Sequence, residues 1–308
     1  MRVTDSYMAS SFLNNLHKNM SNVQKYQEQL SSLKEVNRPS DDPMKVSQIL
    51  DLNNSLIQND GYKTTIKDTI DFTNVQDSAL NHATEAMQRI RTLVQQAASD
   101  TMNDDNRQII KKEVEAEIYT LTDALNTNFG GKYVFAGMNT TTKPFEVVKE
   151  NGEFTGIQYN GTANGSGKLT REIAAGVSIS LKTDGRELMN EQGSAEKPSN
   201  IGTFLSDVLT ALDANDTKAL SGDLLARADK EIDNIVTMRS ETGTIYNRLT
   251  AAQERNETNS LNLESIRSEK QDIDLAEKFM QYTMEQTAYQ ASLAMGTKIL
   301  STSILDYL

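Results

Sequence analysis

Apolar residues recur every three or four positions along most of the chain, and the places where that rhythm fails divide it into segments. Leu13, Leu16, Met20, Val23, Gln27, Leu30 and Lys34 step 3–4–3–4, which predicts an N-terminal helix with one seam facing a partner. Gln27 and Lys34 make that seam imperfect. The stretch VNRPSDDP (36–43) ends it. Arg38 precedes Pro39 and is pushed out of the α region, so Pro39 closes the first helix, and Asp42 is placed to cap a second helix with Pro43 at its first position. Val46, Ile49, Leu50, Leu56 and Ile57 continue that second helix, with Gly61 as a weak point.

From about Ile66 the helical rhythm resumes. Phe72, Val75, Ala79, Ala83, Ala86, Ile90, Leu93 and Ala97 form a stripe whose small alanines predict close packing on another helix. The turn SDTMNDDN (99–106) interrupts it, and Ile110, Val114, Ile118, Leu121 and Leu125 define a shorter helix ending near Asn128 and Gly130. Between Gly131 and about Pro198 the period changes. YVFAG (133–137), FEVV (145–148), FTGIQY (154–159), LTREI (169–173) and VSISL (177–181) read as strands, with Asn151-Gly152 and Asp184-Gly185 as hairpin turns. After Asn200 the helices return. A heptad run passes through Ile245, Leu249, Ala252, Asn256, Asn259, Leu263, Ile266, Lys270, Ile273, Glu277, Met280, Met284, Thr287, Ala291 and Ala294, predicting one unbroken helix of about seven heptads. Its polar positions suit register better than collapse. Pairing the two chain ends buries both seams.

Composition narrows the classes. In 308 residues only 37% are hydrophobic and 6% aromatic, with no tryptophan, which favours rods and bundles over a compact enzyme body. A net charge of −12 repels phosphate backbones, so nucleic acid is not an expected partner. The absence of cysteine removes disulfides, thiol catalysis and thiolate metal sites. No run of about 18 apolar residues predicts a membrane span, and the N-terminus has no apolar signal core. The expectation is a cytoplasmic chain, or one exported without a cleaved signal.

Few residues offer chemistry. Asp41 and Asp42 could attract a hard cation, but no spaced oxygen ligands surround them, and helix capping accounts for both. GTANGSGKLT (161–170) approaches a phosphate loop, yet Thr162 and Leu169 occupy two required positions and the flanks read as hairpins. His17 and His82 are the only histidines, each without a helical i, i+4 partner. No catalytic residue, cofactor site or metal site is expected, and an enzyme is not.

Three stretches then carry a family likeness. VNRPSDDP after an N-terminal helix, NTNFGGKYVFAGMNTTTKPF (126–145) and AYQASLAMGTKILSTSILDYL at the end resemble the flagellar hook-associated protein 3 family, with TGTIYNRL (242–249) in matching order. The resemblance implies a mainly α fold with a small β insert: a flagellin-like elongated helical rod built from both chain termini plus an antiparallel β domain. Its parts would be 1–43 as N-terminal inner helix and spoke, paired with 270–308 as C-terminal inner helix; 44–137 and 199–269 as the helical rod; and 138–198 as a β-rich insert. It also implies a structural subunit exported unfolded by the flagellar type III apparatus and placed outside the cell at the hook–filament junction. Partners would be hook-associated protein 1, flagellin, a chaperone bound to the C-terminal helix, and further copies in a ring of about eleven subunits. Expected site residues follow: Arg38, Pro39, Ser40, Asp41, Asp42 and Pro43 as hinge and cap; Leu13, Leu16, Met20, Val23 and Leu30 as an N-terminal assembly seam. Ile273, Met280, Met284, Ala291, Met295, Ile299, Ile304, Leu305 and Leu308 serve assembly, export and chaperone binding. A flagellin is the near alternative, and a secreted coiled-coil binding protein or effector the more distant one.

Overall fold

The computed structural model describes the backbone of residues 2–99, 102–150, 153–161, 169–189 and 200–305, and within these ranges the side chains outside 2–6, 150, 153 and 298–305. The described chain is mainly helical. Its elements are α1 (Arg2–Ser32), α2 (Pro43–Ala97), α3 (Asp104–Leu125), β1 (Asn128–Phe129), β2 (Lys132–Tyr133), β3 (Phe145–Glu150), β4 (Glu153–Tyr159), β5 (Thr170–Ala174), β6 (Val177–Ser180), α4 (Ile201–Asp213), α5 (Thr217–Ser221), α6 (Asp223–Gln271) and α7 (Leu275–Leu305). Two compact units result, Met1–Asp60 with Thr258–Leu308 and Gly61–Glu257, and α2 and α6 contribute to both.

The expected interruption near Gly61 does not occur, because α2 runs unbroken for 55 residues. One helical glycine costs about 1 kcal/mol, which the apolar stripe that follows outweighs. The Thr65 hydroxyl also donates to the Gly61 carbonyl at 3.1 Å. The expected unbroken C-terminal helix, by contrast, is two helices. α6 ends at Gln271, and Asp274 caps α7 by accepting from the backbone N–H of Ala276 at 2.9 Å and of Glu277 at 3.2 Å. The heptad phase is therefore reset at 272–274.

The core of the 61–257 unit is a single cluster. Leu80, Met87, Ile90 and Leu93 of α2, Ile118 and Leu121 of α3, Phe204 and Leu205 of α4, and Ile235 and Leu249 of α6 all bury their side chains in it. Stripe alanines 79, 83, 86 and 97 are buried with them, as small residues between close helices are. Threonines on the buried stripe satisfy their hydroxyls locally: Thr73, Thr84, Thr122 and Thr242 each donate to the carbonyl four residues back, at 2.7 to 2.9 Å.

The β-rich region forms three separate antiparallel pairs, β1–β2, β3–β4 and β5–β6. Phe145, Ile157, Ile173 and Ile179, one from each of β3 to β6, enter the same cluster as the helices. YVFAG is mostly buried coil; only Tyr133 lies in a strand. Asp184-Gly185 does not turn a hairpin. The Gly185 N–H and the Tyr159 hydroxyl both donate to the Phe135 carbonyl at 3.0 Å, and a Cβ on Gly185 would come within 2.6 Å of the Phe145 and Tyr159 rings. That dipeptide anchors the YVFAG coil. Burial pushes the Tyr159 phenol up to about 12. Gly130 and Gly131, at φ 58° and 79°, and Gly176, at φ 71°, make the described reversals. Asn151-Gly152 and most of GTANGSGKLT lie outside the described residues.

Two buried charges were not expected. Arg107 donates to the carbonyls of Ala97 at 3.1 Å and Ser99 at 3.2 Å, capping the C-terminus of α2 from the first turn of α3. Glu231 is 2% exposed on the buried face of α6, and one carboxylate oxygen has no hydrogen-bond partner. Desolvation pushes it from 4.5 up to about 7, only partly offset by the Arg227 charge. Between those two values the unfolded chain releases this proton while the folded chain keeps it, so stability falls as pH rises through that window. We expect Glu231→Gln to remove up to about 3 kcal/mol of that fall. Urea unfolding at pH 5 and pH 8 checks it: the variant should gain on the wild type at pH 8, and identical pH dependence of the two chains would refute the assignment.

Candidate functional site

The most unusual surface belongs to the unit formed by the chain ends. Helices α1 and α7 pack antiparallel. On α1 the half-buried line is Phe12, Leu16, Asn19, Val23, Tyr26 and Leu30; on α7 it is Lys278, Tyr282, Glu285, Tyr289 and Ser292, ending at the buried Gly296. Both lines step by four and three, the spacing of a heptad seam. The Asn19 amide donates to Ser292 Oγ at 3.2 Å, the Asn22 amide to Glu285 at 3.4 Å, and the Lys278 ammonium lies 5.7 Å from the centre of the Tyr26 ring. Phe12 fills the notch at Gly296, where a Cβ would stand 2.5 Å from its ring.

This seam differs from the expected one. Leu16, Val23 and Leu30 lie on the paired face of α1, whereas Leu13 and Met20 point to solvent. On α7, Met280, Met284, Ala291 and Met295 are all exposed, and Ile273 is half-buried in the break before it. The side chains of Ile299, Ile304 and Leu305, and the whole of Leu308, lie outside the described residues. Sequence reasoning put the most apolar line at the pair. The structure pairs a mixed line of α1, in which Phe12, Leu16, Val23 and Leu30 sit beside Asn19 and Tyr26, with a largely polar and aromatic line of α7, and turns the α7 methionines outward. Tyr7, Met8, Phe279 and Leu293 join them, with Tyr7 74% and Met284 68% exposed. Such a density of large apolar side chains on one helix pair is the signature of an interaction surface.

The connection from α1 to α2 is built from hydrogen bonds. α1 ends at Ser32, not at Pro39, because Leu33 takes a left-handed conformation at φ 58°. The chain then runs alongside the α6–α7 break, where the Glu35 N–H donates to the Gln271 carbonyl at 2.7 Å and the backbones of Lys34 and Asp272 form an isolated antiparallel β-bridge. Gln29 is buried and donates to the Glu35 carbonyl at 2.5 Å. Arg38 and Asp41 close a turn on each other: the Arg38 N–H donates to the Asp41 carboxylate at 3.1 Å and the Asp41 N–H to the Arg38 carbonyl at 3.0 Å. Pro39 and Ser40 are exposed at its tip. Asp42 accepts from the N–H groups of Met44 at 3.1 Å and Lys45 at 3.0 Å, with Pro43 opening α2. Lys45 reaches Glu35 at 2.9 Å, and that hydrogen bond raises its pKa. These groups line a cavity of about 170 Å³ whose lysines and carboxylates neutralise one another.

The other stretches singled out in the sequence are architectural. The Asn126 side chain pairs with the Phe145 backbone as another strand would, donating to its carbonyl and accepting from its N–H, each at 2.9 Å. Thr242, Ile245 and Leu249 of TGTIYNRL lie on the buried face of α6. His17 is exposed, and His82 meets Glu85 at 3.4 Å on the surface. Among the described residues no three histidine or acidic side chains are grouped to hold a metal, and no helix is long and apolar enough to cross a membrane.

Comparison with known proteins matches residues 3–140 to the bacterial flagellin N-terminal helical region and residues 225–308 to the bacterial flagellin C-terminal helical region. The chain is 26% identical to flagellar hook-associated protein 3 of Escherichia coli strain K12, an alignment covering 99% of each chain. It is also 26% identical to a flagellin of Bacillus subtilis strain 168, over 96% of this chain and 95% of that one. Among solved structures it is similar to a flagellar hook-associated protein 3 from Legionella pneumophila, with a TM-score of 0.59 at 13% identity, over 71% of this chain and 97% of that one.

The two adjacent aspartates now have distinct tasks that mutation separates. Asp42→Ala removes the cap of α2 and should cost about 1 kcal/mol, while Asp42→Asn, which still accepts both N–H bonds, should cost a few tenths. Urea denaturation followed by circular dichroism measures both; equal losses for the two variants would mean that charge, not capping, is what Asp42 supplies.

Proposed function

Because the chain belongs to the bacterial flagellin family, whose terminal helical regions it carries at both ends, we propose that it is the structural subunit joining hook to filament. In this reading it forms a ring of about eleven copies between hook-associated protein 1 and the first flagellin layer. It leaves the cell unfolded through the flagellar export apparatus, escorted by a chaperone on its C-terminal helix, and performs no catalysis.

The observation that carries the reading is the outward apolar face of α1 and α7. Tyr7, Met8, Leu13 and Met20 on one helix, and Phe279, Met280, Met284, Leu293 and Met295 on the other, are exposed, while the seam between the helices mixes Phe12, Leu16, Val23 and Leu30 with polar pairs such as Asn19–Ser292 and Asn22–Glu285. Burying each such side chain against a neighbour is worth about 1.5–3 kcal/mol. Repetition around a closed ring multiplies that gain, and no single copy can collect it. The α7 side of the seam is largely polar, so the ends gain much of their order only when neighbours cover them, which suits passage through a narrow channel. The hook-associated reading is preferred to a flagellin because the hook-associated relative aligns over 99% of both chains. The Arg38–Asp41 turn and the Asp42 cap set the direction in which α2 leaves the terminal pair. Asp41 is also available to a neighbour's basic side chain.

Two variants test the proposal in cells lacking their own copy of the chain. Met280→Glu with Met284→Glu places charge on the outward face only. It should leave monomer stability within about 0.5 kcal/mol and still abolish filament attachment. Deletion of 299–308 should likewise spare the 61–257 unit and abolish attachment and chaperone binding. Normal swimming by either strain would overturn the proposal.

A further inference from the structure

Five of the chain's 12 methionines lie exposed on the two terminal helices: Met8, Met20, Met280, Met284 and Met295. Met87, Met189 and Met238 are sealed in the core of the 61–257 unit. In a chain without cysteine, thioethers are the side chains most readily oxidised, and exposure sets the order in which they react. A buried thioether reacts only when its unit opens. The exposed surface of α1 and α7 is thus rich in the one group that a mild oxidant converts from apolar to polar.

We propose that these five thioethers form an oxidation site for peroxide-class two-electron oxidants, and that forming the sulfoxides disables the terminal helices for assembly. The inference rests on the junction reading above. In the reaction a sulfur lone pair attacks one peroxide oxygen. The S–O bond forms as the O–O bond breaks, and the proton on the transferred oxygen passes to the departing one. Sulfur is oxidised by two electrons, the peroxide is reduced to water, and no bond within the chain is cut. The product is a strong hydrogen-bond acceptor fixed where the helix face must be desolvated, so each sulfoxide opposes burial against a neighbour. The stability of the 61–257 unit is untouched because its methionines are shielded. The change is reversible, since sulfoxide reductases restore the thioether.

The test uses the full-length chain in three states: untreated, treated with dilute hydrogen peroxide, and treated then reduced with methionine sulfoxide reductases. Peptide mass mapping locates the sulfoxides. Each preparation is supplied to cells lacking their own copy, and filament-bearing cells are counted. Treatment should oxidise the five terminal methionines before Met87, Met189 and Met238. It should lower filament restoration by about tenfold or more, leave helical content near its starting value, and be reversed by the reductases. The double variant Met44→Leu with Met138→Leu removes the exposed thioethers that lie off this face, and it should remain as sensitive as the wild type. Full restoration by oxidised chain, loss that reduction does not reverse, early oxidation of the core methionines, or resistance of the double variant would each overturn the site. Failure of the untreated chain to restore filaments would instead sink the junction reading.

Discussion

Everything distinctive about the terminal unit depends on how α1 meets α7. The two helices come from opposite ends of the chain, and the groups they present to each other are Phe12, Asn19 and Tyr26 against Gly296, Ser292 and Lys278. Side-chain amides, a hydroxyl and an ammonium fix register well and contribute little to stability, because each hydrogen bond replaces one made to water. A notch that admits a phenyl ring over a glycine adds a steric stop at one end. These polar contacts specify the pairing, and Phe12, Leu16, Val23 and Leu30 of α1 supply its apolar contact. The large apolar side chains of α7, Phe279, Met280, Met284, Leu293 and Met295, stay exposed, as do Leu13 and Met20 of α1.

The 61–257 unit follows the opposite rule. Its apolar residues converge on one cluster, its buried threonines close hydrogen bonds within their own helices, and its irregular segments are tied down by side-chain–backbone pairs at Asn126, Tyr159 and Gln76, the last donating to the Lys182 carbonyl. Glu231 is the exception, a buried carboxyl whose proton the core holds more tightly than water does. A chain divided this way can hold one part folded while its ends exchange partners, since local stability need not be uniform.

The helices were legible in the sequence because the three-to-four rhythm is strong wherever one face is fully buried. Ile66 to Ala97 and Ile110 to Leu125 read correctly for that reason. Boundaries set by single residues were not legible. Leu33 ends α1 in a left-handed turn that sequence assigns to glycine or asparagine, and Asp274 restarts a helix within an otherwise continuous heptad pattern. The Asn126 and Gly185 anchors depend on residues 19 to 50 positions away in sequence. The terminal seam was legible in part: Leu16, Val23 and Leu30 lie on the paired face as expected, whereas hydrophobicity ranks Met284 above Ser292 and Met20 above Asn19 and so misplaces the rest. On α7 that ranking finds a face the monomer leaves uncovered.

That inversion bears on how the ends would behave before assembly. A helix of 31 residues is long enough to form, but isolated helices in water draw little stability from propensity alone. The apolar side of the seam comes almost entirely from α1, through Phe12, Leu16, Val23 and Leu30, while α7 answers with tyrosines, Lys278, Glu285 and Ser292, so the two helices give each other register together with a modest apolar contact. Large apolar side chains of both helices remain exposed beside it. The glycine notch matters more in this light than its size suggests: by fixing the offset between Phe12 and α7, it sets which side chains of the two helices lie side by side.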